Sequence, residues 1–464
     1  MTVNGKAAPR VLLVSTNTEE NPYPVYPLGL ECLRRPLEQD GFTTRIADCR
    51  VLKAQGEGIG DVVKDFAPDV VLVSMRNFDN NDSSNTVCYL PDLLAVVSDI
   101  RRSCRAAIVI GGSGYSLFPA EILARSEADF GVVGPAEHRI VPLLRKVMAK
   151  ETPADIPGVV MRTGDRCTMT AGEVKSCTEA GVPRTPELVR FYWEHGGIMN
   201  LQLQRGCPFS CVYCTYPILD GHRIVARDVS AAVDEMQAMY EQHGVDRFFV
   251  VDSVFNMVPA RSRAFAGEII RRKMPVQWTA YFMPRGISAD DLRLWKQSGL
   301  DGIEFGVDTL CPELLARWRK PFTVDDVLKS AAVCEEVGIP HALYLILGGP
   351  GETMETLEET VARAGQCRKA VVFGFVGMRI YPGTDLLKLA LEEGVVTATT
   401  SLMETRFYIS PLLDQDRFAQ RCRQLGNLRN WLVVGRSLQL KNQLAEASRK
   451  RGVKGAMWQQ LSPQ

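Results

Sequence analysis

Short runs of apolar, mostly β-branched residues alternate with helix-length segments twice along this chain, and that double rhythm limits the folds open to it. In the first 150 residues the runs are Arg10–Ser15, Asp69–Ser74, Ala107–Ile110 and Phe130–Val133, with a weaker one at Thr43–Ala47. They are continuously apolar rather than alternating, which marks parallel strands buried on both faces. Segments at Leu28–Gln39, Leu90–Ser103 and Pro119–Arg125 have helical length and mixed polarity. Strand and helix in this order predict a doubly wound, Rossmann-like α/β sheet over residues 8–149, with any ligand beyond the C-terminal strand ends.

Residues 150–197 shift to Pro, Gly, Thr and charge and read as a linker, with at most a hairpin near Val159–Thr170. The second rhythm fills 198–395. Its strands are Met199–Gln204, Arg247–Asp252, Val276–Tyr281, Gly302–Val307, Ala342–Leu347 and Val371–Ile380. Ser288 with Asp291 and Thr323 with Asp326 have capping-box spacing at two intervening helices. Six βα units in this span predict an open, partial barrel, since a full eight-unit barrel takes about 250 residues. Residues 396–464 are expected to form a small, mainly helical C-terminal extension.

The 464 residues carry 54 basic and 54 acidic side chains. A neutral chain does not fit a nucleic-acid binder that works by neutralising phosphates. The absence of any apolar run near the 18 or so residues needed to cross a bilayer, and of a signal-like N-terminus, leads us to expect a soluble, cytoplasmic protein with no membrane partner. Ten of the thirteen cysteines stand singly, mostly among apolar neighbours, where a free thiol is a small hydrophobe. The other three are Cys207, Cys211 and Cys214, directly after the first strand of the second rhythm. A zinc site wants a fourth Cys or His at similar spacing, and the nearest is His222; an all-cysteine iron–sulfur site wants a fourth thiol, and the next is Cys311. Three ligands without a fourth leave a metal position open for chemistry, although a zinc knuckle or three unrelated thiols is not excluded at this point.

Cys-x3-Cys-x2-Cys with Tyr213 before the last cysteine resembles the signature of the radical S-adenosylmethionine (SAM) enzymes. The resemblance implies a 4Fe-4S cluster on Cys207, Cys211 and Cys214 whose fourth iron is open to SAM, with Tyr213 against the adenine. Further segments resemble the family at matching strands. Asp252 and Ser253 end the second strand, where the family holds the SAM ammonium. Asp308 stands where a Glu usually does, and Gly348-Gly349-Pro350-Gly351 matches the glycine turn near adenine, as the segment around Tyr381 matches its sixth-strand counterpart. No G-x-G-x-x-G follows the first strand, so a nicotinamide dinucleotide is a poor fit for the first domain.

That domain instead resembles the cobalamin-binding domain of cobalamin-dependent radical SAM enzymes. Ser74 would lie beneath the corrin, Gly111, Gly112 and Ser113 would let the nucleotide tail pass close to backbone, and Gly134 and Glu137 match a further loop loosely. No Asp-x-His-x-x-Gly motif is present, and the one histidine before residue 190 is His138. Arg76 or Asn77 is therefore expected to face cobalt without binding it. The resemblance implies a methyltransferase, methyl group passing through cobalamin to an unactivated carbon, or less often phosphorus, of a small-molecule substrate by way of a 5′-deoxyadenosyl radical. It also implies an electron donor such as flavodoxin or ferredoxin. Ring closure, ring contraction or oxidation without net methylation is the enzymatic alternative, and a corrinoid sensor or carrier the non-enzymatic one.

Overall fold

A computed structural model describes residues 8–164, 166–175, 181–433, 443, 447–448 and 450–462; Cys177 and Arg449 lie outside them. The first sheet contains β1 (Arg10–Ser15), β2 (Thr43–Asp48), β3 (Val70–Ser74), β4 (Ala107–Gly111), β5 (Phe130–Val132), β6 (Val159–Thr163) and β7 (Arg166–Met169), in the order β2-β1-β3-β4-β5-β6-β7. The first five are parallel, and the β6–β7 hairpin adds antiparallel to β5. The continuous apolar runs explain the layering. Val11, Leu13, Val70 and Leu72 enter one core, while Leu12, Val14, Val71 and Val73 enter another on the opposite face. Strand order reverses between β1 and β3, which places a binding crevice outside Ser15 and Ser74.

The segment read as a linker does more than connect. Besides the hairpin it contains a helix, Pro186–Gly196, whose Tyr192 hydroxyl donates to Asp48 in the first domain at 3.0 Å. Thr185 before Pro186 is a helix-start pairing that a composition reading passes over.

The second sheet contains β8 (Met199–Leu201), β11 (Arg247–Val250), β12 (Gln277–Phe282), β13 (Leu300–Asp308), β14 (His341–Leu347), β15 (Ala370–Val376) and β18 (Trp431–Val433), all parallel. Two small antiparallel pairs complete the set: β9 (Gln204–Arg205) with β10 (Val225–Ala226), and β16 (Met378–Arg379) with β17 (Phe407–Tyr408). The six expected strands all contribute to one sheet, although Met199–Gln204 leaves it after Leu201 and Val371–Ile380 after Val376. Within the extension, after the helix Gln415–Gly426, β18 adds a seventh strand along β15. A three-residue apolar run carries no readable period, yet it covers an edge that would otherwise stay unpaired. The chain then returns beneath the sheet, where Ala456 and Trp458 pack on Ala342, Val371 and Leu432.

Thr323 and Asp326 do form a reciprocal capping box. At Ser288 the hydroxyl caps Asp291 N at 3.1 Å, while the Asp291 carboxylate turns to Arg263 at 2.6 Å.

Candidate cofactor and active site

The cysteine loop leaves β9 through Gly206, whose φ of +87° and whose approach to the Arg223 carbonyl, 2.0 Å from where a Cβ would stand, both require glycine. Main-chain bonds then set its course: Cys207 N to Gly221 O at 3.1 Å, Cys214 N to Cys211 O at 3.1 Å, and Val212 N to Trp318 O at 3.3 Å. Among the described residues no three Cys, His, Asp or Glu side chains gather at single-ion spacing, and His222 is exposed. Burial pushes the thiols up, Cys214 to about 12, and Lys320 pulls against that at all three. Three thiols on one short loop beside a buried cation are a donor set that fits an iron–sulfur cluster.

Lys320 is a residue that sequence reasoning missed. Its ammonium is enclosed, 2.7 Å from Asp308 Oδ2 and 5.9 Å over the Tyr213 ring. Tyr213 donates to the same Asp308 oxygen at 2.6 Å. Asp308 reaches both from a strand whose register shifts after Gly306, and it adopts φ +68°, uncommon for a non-glycine residue. The only sequence signal for Lys320 is the basic group Arg317, Arg319 and Lys320 at the end of the helix Pro312–Arg317.

Asp252 has a structural task besides the one expected. It is 1% exposed, and its Oδ1 accepts from Leu203 N at 2.8 Å and Gln204 N at 3.1 Å, which anchors the strand that feeds the cysteine loop, while its Oδ2 has no hydrogen-bond partner among the described residues. Ser253 likewise donates to Gly206 O at 2.9 Å. Burial drives the Asp252 carboxyl up to about 7, against the pull of the two backbone N–H groups. A carboxyl raised on folding makes the native state bind the extra proton, so this group's contribution to stability falls as pH rises from near 4 to about 7 and is level above that. Asp252→Asn is expected to flatten that part of the profile in urea melts run at several pH values.

Gly348 N donates to the buried Glu352, and Gly348 takes φ +92°. Gly349 admits the Trp318 indole, 2.3 Å from where a Cβ would stand, and Trp318 Nε1 donates to Pro350 O at 2.9 Å. The glycine turn therefore owes its composition at least in part to Trp318.

The other half of the site is a cavity of about 340 Å³ at the strand ends of both sheets. Ser74, Arg76, Gly111, Gly112, Ser113, Gly134 and Glu137 line it from the first domain, with Gln202, Arg205 and Tyr216 opposite. Asn77 does not line it: its backbone packs on Gly114 and its side chain turns to Arg76. Gly112, at φ +100°, and Gly114 let the β4 loop lie against the backbone of Met75 to Phe78. Glu137 pairs with Arg205 at 2.5 Å, joining the first domain to the residue two before Cys207.

The polar segment after β3 is clamped to the second domain. Asp79 is buried against Arg379 at 2.7 Å, accepts from Tyr381 at 3.3 Å and Thr405 at 3.3 Å, and Arg379 stacks over Tyr381 at 4.6 Å. Tyr381 thus belongs to an interdomain latch, and the backbone on which Arg76 stands is fixed by residues some 300 positions away.

Residues 201–364 match the Radical SAM superfamily, and residues 15–144 match the B12 binding domain. The chain is a radical SAM protein with a B12-binding domain. It is 25% identical over 439 residues to a tryptophan 2-C-methyltransferase from Streptomyces laurentii, covering 80% of this chain and 73% of that one. It is 22% identical over 450 residues to a cytidylyl-2-hydroxyethylphosphonate methyltransferase from Streptomyces wedmorensis, covering 81% and 80%. The fold is that of the radical SAM methyltransferase TsrM from Kitasatospora setae, solved with cobalamin and a 4Fe-4S cluster bound, at a TM-score of 0.85 and 23% identity over 98% of this chain and 97% of that one. In this radical SAM protein the strand ends of the B12-binding domain share one cavity with Arg205 and Tyr216, which flank the cysteine loop. Among the described residues no helix is long and apolar enough to cross a membrane.

Proposed function

We propose that this protein is a cobalamin-dependent radical SAM methyltransferase acting on an unactivated carbon of a small molecule. One observation carries the reading: the strand ends of the two domains open on the same cavity, with Ser74 and Gly111 on one wall and Gln202, Arg205 and Tyr216 on the other. When bound, the cluster supplies electrons for cleaving SAM, and cobalamin carries the methyl group to the substrate. Cys207, Cys211 and Cys214 hold the cluster. Lys320 offsets their negative charge, and Asp308 holds Lys320 and Tyr213 in place. Tyr213, Asp308, Gly348, Gly349 and Tyr381 surround the SAM position. Ser74, Gly111, Gly112, Ser113 and Gly134 admit the corrin and its tail, and Glu137 fixes Arg205 beside them.

Arg76 is the residue that would face the cobalt, without binding it, once cobalamin is held. It is exposed at the cavity, and His138 is exposed on the turn before the helix Ile140–Ala149. Electron paramagnetic resonance of Co(II) in cobalamin-loaded protein is expected to show no nitrogen from a protein histidine; such a coupling would refute this arrangement. A flavodoxin or ferredoxin of the cytoplasm would dock at the cysteine loop, where Pro208 and Ser210 are exposed.

The test is anaerobic reconstitution with iron, sulfide, cobalamin and SAM, followed by mass analysis of SAM-derived products across candidate substrates. Methylated product is expected with S-adenosylhomocysteine in step with it. A modified product without S-adenosylhomocysteine would replace methyl transfer by ring formation or oxidation, and no SAM-derived product under reducing conditions would leave a corrinoid carrier.

A further inference from the structure

The inward face of the second sheet is filled from below by Ala456 and Trp458, which pack on Ala342 and Val371, and is less completely filled above them. Along β14 and β15 the side chains Leu343, Leu345, Leu347 and Val372 enter the core under the outer helices, so Tyr344, Phe373 and Phe375 point the other way. By the same alternation Tyr281 and Phe249 point inward from β12 and β11, beside Trp278, Ala280, Phe248 and Val250, which are in the outer core. In a closed eight-stranded barrel such positions interlock into a packed core. Here Tyr344, Phe373 and Phe375 are only half-buried and Tyr281 is 36% exposed, although all four sit in the middle of a molecule whose outer positions on these strands are shut.

The lining has one chemistry. Tyr344 lies nearly parallel to Phe373, 4.5 Å and 7° apart, and to Phe375, 5.9 Å and 14° apart. Tyr281 stands almost perpendicular to Tyr344 at 6.1 Å, with Phe249 edge-on to Tyr281 at 5.0 Å. Below them is Glu304, which is 4% exposed. The buried carboxylates Asp79, Glu137 and Glu235 each pair with an arginine. Glu304 has no such partner among the described residues and accepts instead from the Tyr344 hydroxyl at 2.7 Å and from Trp458 Nε1 at 2.8 Å. Each carboxylate oxygen has a second lone pair, so acceptor capacity remains. Trp458 comes from the returning C-terminal segment, which therefore closes the floor and sets the Glu304 rotamer.

We propose that this hollow binds a planar aromatic ring bearing an N–H or O–H donor, with Tyr281, Tyr344, Phe373 and Phe375 as its walls and Glu304 as the acceptor at its floor. Flat walls meeting edge-on suit a ring rather than a flexible chain, because aromatic faces and edges attract one another in these geometries. A site built around a buried acceptor discriminates strongly against an analogue without the donor. The inference rests on the reading that this protein modifies a small molecule, and it names the class. The curated relatives do not decide it, as one acts on tryptophan and another on a cytidylyl phosphonate.

The test is binding to the reconstituted full-length holoenzyme, by titration calorimetry, of indole, benzothiophene and hydrindane. These are bicyclic molecules of similar size: a ring with N–H, a ring with sulfur in its place, and a saturated frame. Indole is expected to bind at least about tenfold more tightly than benzothiophene, and benzothiophene several-fold more tightly than hydrindane. Glu304→Gln is expected to weaken indole and leave benzothiophene unchanged; Phe373→Leu is expected to weaken both. Equal binding of indole and benzothiophene by the wild type would overturn the acceptor, and equal binding of benzothiophene and hydrindane would overturn the walls, so the proposal is decided even if a variant fails to fold. Turnover is a separate readout. A holoenzyme that keeps the probe order but forms no S-adenosylhomocysteine loses the methyltransferase reading and keeps this one; one that forms it without the probe order does the reverse.

Discussion

Cys211→Ala is expected to abolish assembly of the cluster, with iron and sulfide falling to background and turnover below detection. The three thiols come from one loop of eight residues, so a single deletion leaves two anchors and nothing in the loop to replace the third. The loop itself should persist, because its course is set by the main-chain bonds of Cys207, Val212 and Cys214 and by Ser253 on Gly206. Cobalamin loading is therefore expected to survive, which separates loss of the cluster from loss of the fold. Retention of full iron content in this variant would remove Cys211 from the ligand set.

The largest expected effect on stability is at the latch between the domains. The Arg379 side chain is 2% exposed and that of Asp79 fully enclosed, at 2.7 Å. Removing one member strands the other as an unpaired buried charge, which costs about 3–5 kcal/mol. Asp79→Ala should therefore lower the urea midpoint sharply. Asp79→Ala combined with Arg379→Met should recover much of the loss, because replacing both charges by apolar groups is often neutral. A small effect of Asp79→Ala alone would mean that water reaches the pair. The single change should also alter the Co(II) spectrum of the loaded protein, since the Asp79 segment carries Arg76.

Much of this was legible beforehand, for a specific reason. Parallel strands buried on both faces leave uninterrupted apolar runs, and most runs here became a strand within a residue or two, Arg10–Ser15 without change and Ala342–Leu347 as His341–Leu347, whereas Met199–Gln204 stops at Leu201 and Val371–Ile380 at Val376. The three cysteines were legible because metal ligation by one loop is a local pattern. Helix Pro186–Gly196 and strand Trp431–Val433 were not, the first hidden in a Pro- and Gly-rich stretch and the second too short to show a period.

The partners of charged and polar residues were the least legible. Asp252 looks like a strand-end ligand in sequence, and only the folded chain shows its oxygen on the backbone of Leu203 and Gln204. Nothing local marks Lys320 as the cation beside the cysteines, Arg379 as the mate of Asp79, or Trp458 as the donor to Glu304. The sequence by itself determined the two βα layers, the order of the domains and the thiol loop, because these depend on hydrophobic period and short spacing. Tertiary structure alone decided which charges meet, which faces stay hollow and what closes them, because each depends on atoms from separate elements of the fold, 300 positions apart for Asp79 and Arg379 and 154 for Glu304 and Trp458.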